Sequence, residues 1–277
     1  GVDFNDSMLQ LARRYEPEIA ERIGFGNVRF VKARIQDMAL DLEKVEELLR
    51  NQPPSTLEQW TAFEEECARL RRKEPAVATE FANVVVSNCV LNLVRPEDKV
   101  RLFADIHRVL KDGGRALISD IVCDEDPTPA MMNDPELWSG CISGAFTEAG
   151  ILKAFEDAGF YGMEIAKRDE KPWQTFNGIE FRSVTIVAHK GKQGECFERN
   201  QAVIYKGPWK TVVDDDGHTL HRGVRMAVCD KTFKIYTRAN GPYASSILAI
   251  EPYEHIPLET ARKFNCKVNA TRDPRES

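Results

Sequence analysis

Hydrophobic positions recur at two spacings along the chain, and the change from one to the other marks its elements. Asn83-Val84-Val85-Val86-Ser87-Asn88-Cys89 is an apolar β-branched run without the alternation of a half-solvated strand. It predicts a central strand of a parallel sheet, covered by helices on both faces. Helical spacing follows, with Pro96 at a good first position, Val100, Phe103, Ile106, Val109 and Leu110 on one face, and Gly113-Gly114 as the stop. Residues 115–121 then read as a strand, with Asp120 near its carboxyl end.

Upstream, Gly1-Val2-Asp3 reads as the last residues of a strand. Asn5-Asp6-Ser7 supplies caps for a helix whose apolar face is Met8, Leu11, Ala12, Tyr15 and Ile19; Pro17 is expected to kink or divide it, and Gly24 and Gly26 to end it. Residues 27–32 predict a second strand, closing in Arg34-Ile35-Gln36-Asp37-Met38. Residues 40–50 and 57–72 are charged amphipathic helices, the second opened by a capping box at Ser55-Thr56-Leu57-Glu58. The pair reads as an insertion that packs for structure, with a lid over the site as the other reading; Cys67 falls on its apolar stripe and reads as an inert buried thiol.

Residues 124–146 form a long connection, of a length that is usually functional or disordered; its aromatic and small apolar content argues against disorder. Thr147 caps a helix that Gly159 ends, and residues 162–168 and 179–189 predict an antiparallel edge. Beyond Gly191 come short strand-like pieces at 201–205, 224–229 and 233–237, a turn at Asp214-Asp215-Asp216-Gly217, and an extended tail around Asp273-Pro274-Arg275.

Composition narrows the classes of function. A net charge of -6 argues against general affinity for nucleic acid. No apolar run approaches the ~18 residues of a membrane span. Seven cysteines without disulfide-type spacing predict free thiols and a cytoplasmic location. The chain opens in mid-pattern at Gly1, which suggests a start further upstream.

In order, Gly1-Val2-Asp3, Gln36-Asp37-Met38, Ser87-Asn88-Cys89-Val90-Leu91-Asn92-Leu93, Arg108-Val109-Leu110-Lys111-Asp112-Gly113-Gly114, Ser119-Asp120 and Gly140-Cys141-Ile142-Ser143-Gly144-Ala145 resemble the S-adenosylmethionine-dependent arsenite methyltransferases. The resemblance covers residues 1 to about 190, and Asn200-Gln201-Ala202-Val203-Ile204-Tyr205-Lys206-Gly207 looks like the C-terminal extension of the same family. It implies an α/β fold: a Rossmann-like class I methyltransferase sheet, incomplete at its N-terminus, over 1–190, and a small β-rich appendage over 191–277. Two departures stand out. The family's glycine-rich loop after its first strand has no counterpart, which implies half a cofactor site and weak cofactor binding by this chain alone. In the strand near residue 184, where the family places an arsenic-binding cysteine, this chain has Arg182-Ser183-Val184-Thr185.

The resemblance gives the candidates their roles. With S-adenosyl-L-methionine as cofactor, Asp3 accepts hydrogen bonds from both ribose hydroxyls and Phe4 lies on the adenine face. Ile35, Gln36 and Asp37 border the base, and Ser87 and Asn88 line the strand end where ligands of open α/β sheets bind. The other reading makes Asp3 a helix cap and the polar residues partners of loop backbone. Methyl transfer from a sulfonium is in-line displacement, so positioning dominates, and a soft nucleophile needs no base. Trivalent arsenic prefers thiolates. Cys141 is the main candidate ligand and Cys89 the second, each with packing as the other reading, and a small thiol from solution completes the set. Cys196, Cys229 and Cys266, with His218 and His221, have wide spacing and no CxxC pair, so no metal site is assigned; Cys123 receives no role. Three readings of function stand: methyl transfer to arsenite or thiol-bound arsenic, methyl transfer to a thiol or another small molecule, and a non-catalytic binding module.

Overall fold

The computed structural model describes residues 1–276. Strand β1 (Val2–Asp3) leads into helix α1 (Asp6–Ile23), whose first N–H groups are capped by the Asn5 side chain and whose end is closed by Gly24 in the left-handed region, φ 82°. Strand β2 (Val31–Lys32) returns parallel to β1. Helices α2 (Leu42–Asn51) and α3 (Leu57–Lys73) follow, the second opened by a reciprocal Thr56–Gln59 capping box. Cys67 is buried there with Leu40 and Leu70, and burial pushes its thiol up, as befits an inert packing residue.

Next come β3 (Ala82–Asn88), α4 (Lys99–Val109), β4 (Leu110–Cys123), the short helices α5 (Pro129–Met132) and α6 (Pro135–Ser139), β5 (Phe146–Thr147), α7 (Glu148–Asp157), β6 (Tyr161–Arg168), β7 (Gln174–Phe176) and β8 (Ile179–His189). The main sheet runs β3-β4-β8-β6, with β5 added to the end of β4 and β7 to β8. β3 and β4 are parallel, while β8 lies antiparallel to both β4 and β6. Leu102, Phe103, Ile106 and Val109 of α4 and Ile151 and Phe155 of α7 bury one face of this sheet around Ile118, Val184 and Ile186. Val2, Ile35 and Val85 pack against the same core, which holds the β1–β2 pair in place without a hydrogen-bonded ladder to β3.

That missing ladder overturns one expectation. β3 is an edge strand, not a central one, and Val84 and Val86 are 44% and 68% exposed, because only the Val85 face has a partner layer. For the same reason Met8, Leu11, Tyr15 and Ile19 lie exposed, and Leu9 is the buried residue of α1. Pro17 neither ends nor divides that helix. Val100 is 80% exposed; Pro96–Asp98 form a 3-10 turn, the α-helix begins at Lys99, and Leu102 takes the inward position.

The C-terminal part comprises β9 (Phe197–Glu198), β10 (Ala202–Tyr205), β11 (Thr211–Val213), β12 (Thr219–His221), β13 (Arg225–Ala227), α8 (Asp230–Thr237), β14 (Ile247–Ile250) and β15 (Arg262–Lys263). β10 is flanked antiparallel by β13 and β14, while β11 pairs with β12 and β9 with β15. Residues 233–237, expected as a strand, are helical: Phe233 and Tyr236 are three apart and enter one cluster with Val203, Tyr205 and Met226. Pro274–Glu276 form a 3-10 turn, so the tail is not extended there.

Tyr161 of β6 joins this second cluster and pairs across the sheet with buried His189. Burial, with Arg115 and Arg238 nearby, pushes the imidazole down to about 4. The unfolded chain therefore binds a proton that the fold excludes between pH ~6.5 and ~4, and stability present above that window falls on acidification, by up to about 3 kcal/mol. Urea midpoints measured at about pH 7.5 and about pH 5 should fall further for wild type than for His189→Gln. Equal falls would assign the acid sensitivity elsewhere.

Candidate active site at the strand ends

Asp120 organises the carboxyl end of the sheet. Its carboxylate, 1% exposed near the end of β4, accepts hydrogen bonds from the Val90 N–H (3.1 Å), the Leu91 N–H (2.8 Å) and its neighbour Ile121 N–H (2.8 Å). Burial pushes the carboxyl pKa up, against these donors. The bonds fix the turn after β3, in which Cys89 takes φ 53° while its N–H donates to the Ser119 carbonyl at 2.9 Å.

A second loop is brought against this turn. Buried Asn92 donates through Nδ2 to the carbonyls of Ile121 (2.7 Å) and Cys141 (3.1 Å). Gly144 packs so closely that a Cβ there would lie 2.0 Å from the Asn92 carbonyl oxygen, a position no other residue fills without moving backbone. Lys99 donates to the Gly144 carbonyl, and its ammonium sits 3.7 Å over the Phe146 ring; burial lowers it to about 8, with Asp120 opposing. Held this way, Cys141 adopts φ 61° and its Sγ comes within 3.9 Å of the Cys89 carbonyl oxygen.

Left-handed backbone is costly for a side-chain-bearing residue and persists where surroundings over-determine it. Besides Cys89 and Cys141, the non-glycine residues with positive φ among those described are Glu80 and three asparagines, which tolerate the region well. Cys89 is exposed and Cys141 partly so; burial comes first in pushing both thiols up, followed by the Asp120 charge, so both are protonated near neutrality. Cys123 is different: fully buried, pushed up to about 12, and directed at the Phe146 carbonyl.

The remaining candidates lie at the ends of the parallel strands. Asp3 ends β1, where one carboxylate oxygen accepts from the Asn5 N–H (2.9 Å) and its carbonyl accepts from Ala33. Phe4 beside it is 65% exposed. Ile35 packs on the core and Gln36 is half-buried. The Asp37 carboxylate is gripped by Arg71 of α3 at 2.9 to 3.2 Å, so its side chain ties the helical insertion to the loop after β2. Ser87 and Asn88 end β3, and the Asn88 Oδ1 lies 3.5 Å from Cys89 Sγ. Val184, 2% exposed, pairs with Asp120 across the sheet and belongs to the main core. Asn92 and Gly144 stand within the quoted motifs without a role assigned to them, and Lys99, in a pattern of periodicities, looks like an ordinary helix residue.

A family profile described as a methyltransferase domain matches residues 1–178. The chain belongs to the methyltransferase-domain family. Residues 192–277 match a second profile, described as a domain of unknown function. Against curated relatives, this methyltransferase-family chain is 46% identical over 94 residues to an arsenite methyltransferase of Halobacterium salinarum, covering 34% of this chain and 24% of that one. It is 25% identical to the arsenite methyltransferase of Mus musculus over 99% of its own length and 66% of the relative's. It thus spans less than two thirds of these relatives. Among solved structures, an arsenic(III) S-adenosylmethionine methyltransferase from Chlamydomonas reinhardtii shares the fold, with a TM-score of 0.55 at 19% identity, covering 96% of this chain and 79% of that one.

Proposed function

We propose that this chain forms the catalytic part of an S-adenosylmethionine-dependent methyltransferase whose acceptor is trivalent arsenic, held by Cys141 and Cys89. The observation that carries the reading is the convergence of two cysteines, both in left-handed backbone, on the strand ends over Asp120. The arsenite methyltransferase relatives in Halobacterium salinarum and Mus musculus favour the same acceptor.

The chemistry follows from the thiols being protonated. Each As–OH exchanges with a protein S–H to give As–S and water, so no base and no net proton release are needed. Two protein thiols leave one position of a centre that favours three for a small thiol from solution. Bound at the strand ends, S-adenosylmethionine supplies a methyl group on a positively charged sulfur. The residues here suit its ribose and adenine: Asp3 has a second carboxylate oxygen for a hydroxyl, and Phe4 presents an exposed ring. Gln36 is the polar group beside the base, since Asp37 is engaged by Arg71. Cys141 and Cys89 orient the arsenic lone pair toward the methyl carbon, and the Trp138 to Phe146 segment shields it from water. The stripe of α1 and the edge at Val84 and Val86 are exposed apolar surface. The seven free cysteines suit a reducing compartment such as the cytoplasm.

The test incubates the protein, and a form extended upstream, with cofactor, arsenite and a small thiol, following methylated arsenic and S-adenosylhomocysteine together. Equimolar appearance of the two is expected, with Asp3→Ala raising the cofactor KM about tenfold or more through lost hydrogen bonds to a charged acceptor. Methylation of the thiol alone would replace arsenic by sulfur as the acceptor, and no product from either form would end the enzymatic reading.

A further inference from the structure

Three cysteines far apart in sequence meet in the C-terminal part. Cys196 precedes β9, Cys229 stands at the N-cap of α8 and Cys266 follows β15, yet their sulfurs all lie within 4.8 Å of one another. No disulfide joins any of them. Cys229 is fully buried, and its Sγ accepts the Thr232 N–H at 3.3 Å and meets the Thr232 hydroxyl at 3.2 Å, donors that suit a thiolate.

A nitrogen donor lines the same space, outside the group of sulfurs that lie within 4.8 Å of one another. His218 lines the same pocket as Cys196 and Cys266, and the adjoining cavity with Cys229 and Cys266. Its Nδ1 is 2.9 Å from Asp214 Oδ2, an oxygen that also accepts from the Tyr236 hydroxyl at 2.6 Å. A carboxylate on one ring nitrogen fixes the tautomer that leaves Nε2 with a free lone pair, the usual support of a metal-bound histidine. His221 stays out of the group, exposed and paired with Thr211.

We propose that Cys196, Cys229 and Cys266, with His218 as fourth ligand, form a structural zinc site that fastens the C-terminal part. Zinc thiolate sites place sulfurs about 3.8 Å apart around a tetrahedral ion, so the three sulfurs close on an ion with shifts of about an ångström, while His218, outside that group, has to move in from the pocket wall to complete the set. On binding, the three thiols release their protons to solvent, and the resulting charge of -1 is met by Lys231 and Lys267 on the pocket wall. The ligands tie β9, α8 and β15 together in a region built of short strands, where a metal staple contributes most. Zinc fits this set better than trivalent arsenic: arsenic takes three sulfurs and keeps a lone pair, which leaves the Asp214-anchored imidazole without purpose.

The whole chain, purified under reducing conditions, is assayed for zinc after dialysis and titrated with cobalt as a spectroscopic substitute. One zinc per chain and the intense thiolate-to-cobalt absorption of a tetrahedral site are expected. Zinc affinity should fall by at least about tenfold in Cys229→Ser, Cys266→Ser and His218→Ala, since loss of an outer-shell partner alone costs that much, with wild-type affinity in Cys89→Ser. A chelator should lower the unfolding temperature of wild type and leave Cys266→Ser, whose site is half-exposed, where it was. Cobalt giving only weak six-coordinate absorption, zinc retained equally by Cys266→Ser, or trivalent arsenic protecting these three thiols from alkylation while zinc does not, would each overturn the assignment.

Discussion

Cys141→Ser is expected to lower arsenic methylation to ~1% of wild type or less, while cofactor affinity stays within a few-fold. Serine nearly matches cysteine in volume, and the φ of 61° is imposed by bonds that do not involve the side chain: the Asn92 amide on the Cys141 carbonyl, and the Cys141 N–H on the Trp138 carbonyl at 3.0 Å. The fold should therefore survive, with an unfolding temperature close to wild type. What changes is ligand softness: a hydroxyl oxygen holds trivalent arsenic far less well than sulfur. Losing the ligand that places the lone pair in line with the methyl carbon costs on the order of a hundredfold or more. Cys89→Ser should show the same direction with smaller loss, since Cys89 is the more exposed of the two. Turnover of Cys141→Ser at the wild-type rate would remove the thiol from the proposed chemistry.

The second large effect is expected at Asp120. Asp120→Ala leaves three N–H groups, those of Val90, Leu91 and Ile121, without their acceptor in a buried place. Each such loss costs about 1 to 3 kcal/mol, offset in part because a carboxylate disfavoured by burial is removed with it, so a net destabilisation of about 2 to 4 kcal/mol is expected. The turn carrying Cys89 loses its anchor and turnover falls with it. Asp120→Asn keeps an acceptor oxygen and should recover a substantial part of both. Denaturant unfolding and turnover, measured on both variants, check this; an alanine variant as stable and active as wild type would show that the strand end holds itself.

Part of the candidate site is legible in the chain because its residues lie where a pattern stops. Asp3 and Ser87-Asn88-Cys89 each follow an apolar run, and the end of such a run is local information, whereas Asp120 stands inside one, followed by Ile121 and Val122 of the same strand. Cys141 stood out through the Gly-Cys-Ile-Ser-Gly-Ala context. The supports were not legible in the same way. That Gly144 must be glycine depends on the Asn92 carbonyl arriving from a loop 52 residues earlier, and that Lys99 is buried depends on the Gly144 carbonyl and the Phe146 ring. Asp37 looked like a ligand-facing acid until α3 delivered Arg71 to it.

By itself the sequence determined the order and kind of most elements, because alternation at two residues and recurrence at three to four are properties of neighbours along the chain. Tertiary structure decided which apolar faces find partners. Periodicity says that Val84, Val86 and the stripe of α1 are apolar, but β3 has a neighbour on one edge only, and so they meet solvent. Residues 233–237 form a helix because Phe233 and Tyr236 can then reach the same cluster, a gain that no short window of sequence contains. The wide spacing of Cys196, Cys229 and Cys266 argued against a metal, and the fold brings their sulfurs within 4.8 Å: separation along the chain sets the entropy of closing a loop, while the packing of β9, α8 and β15 sets where its ends lie.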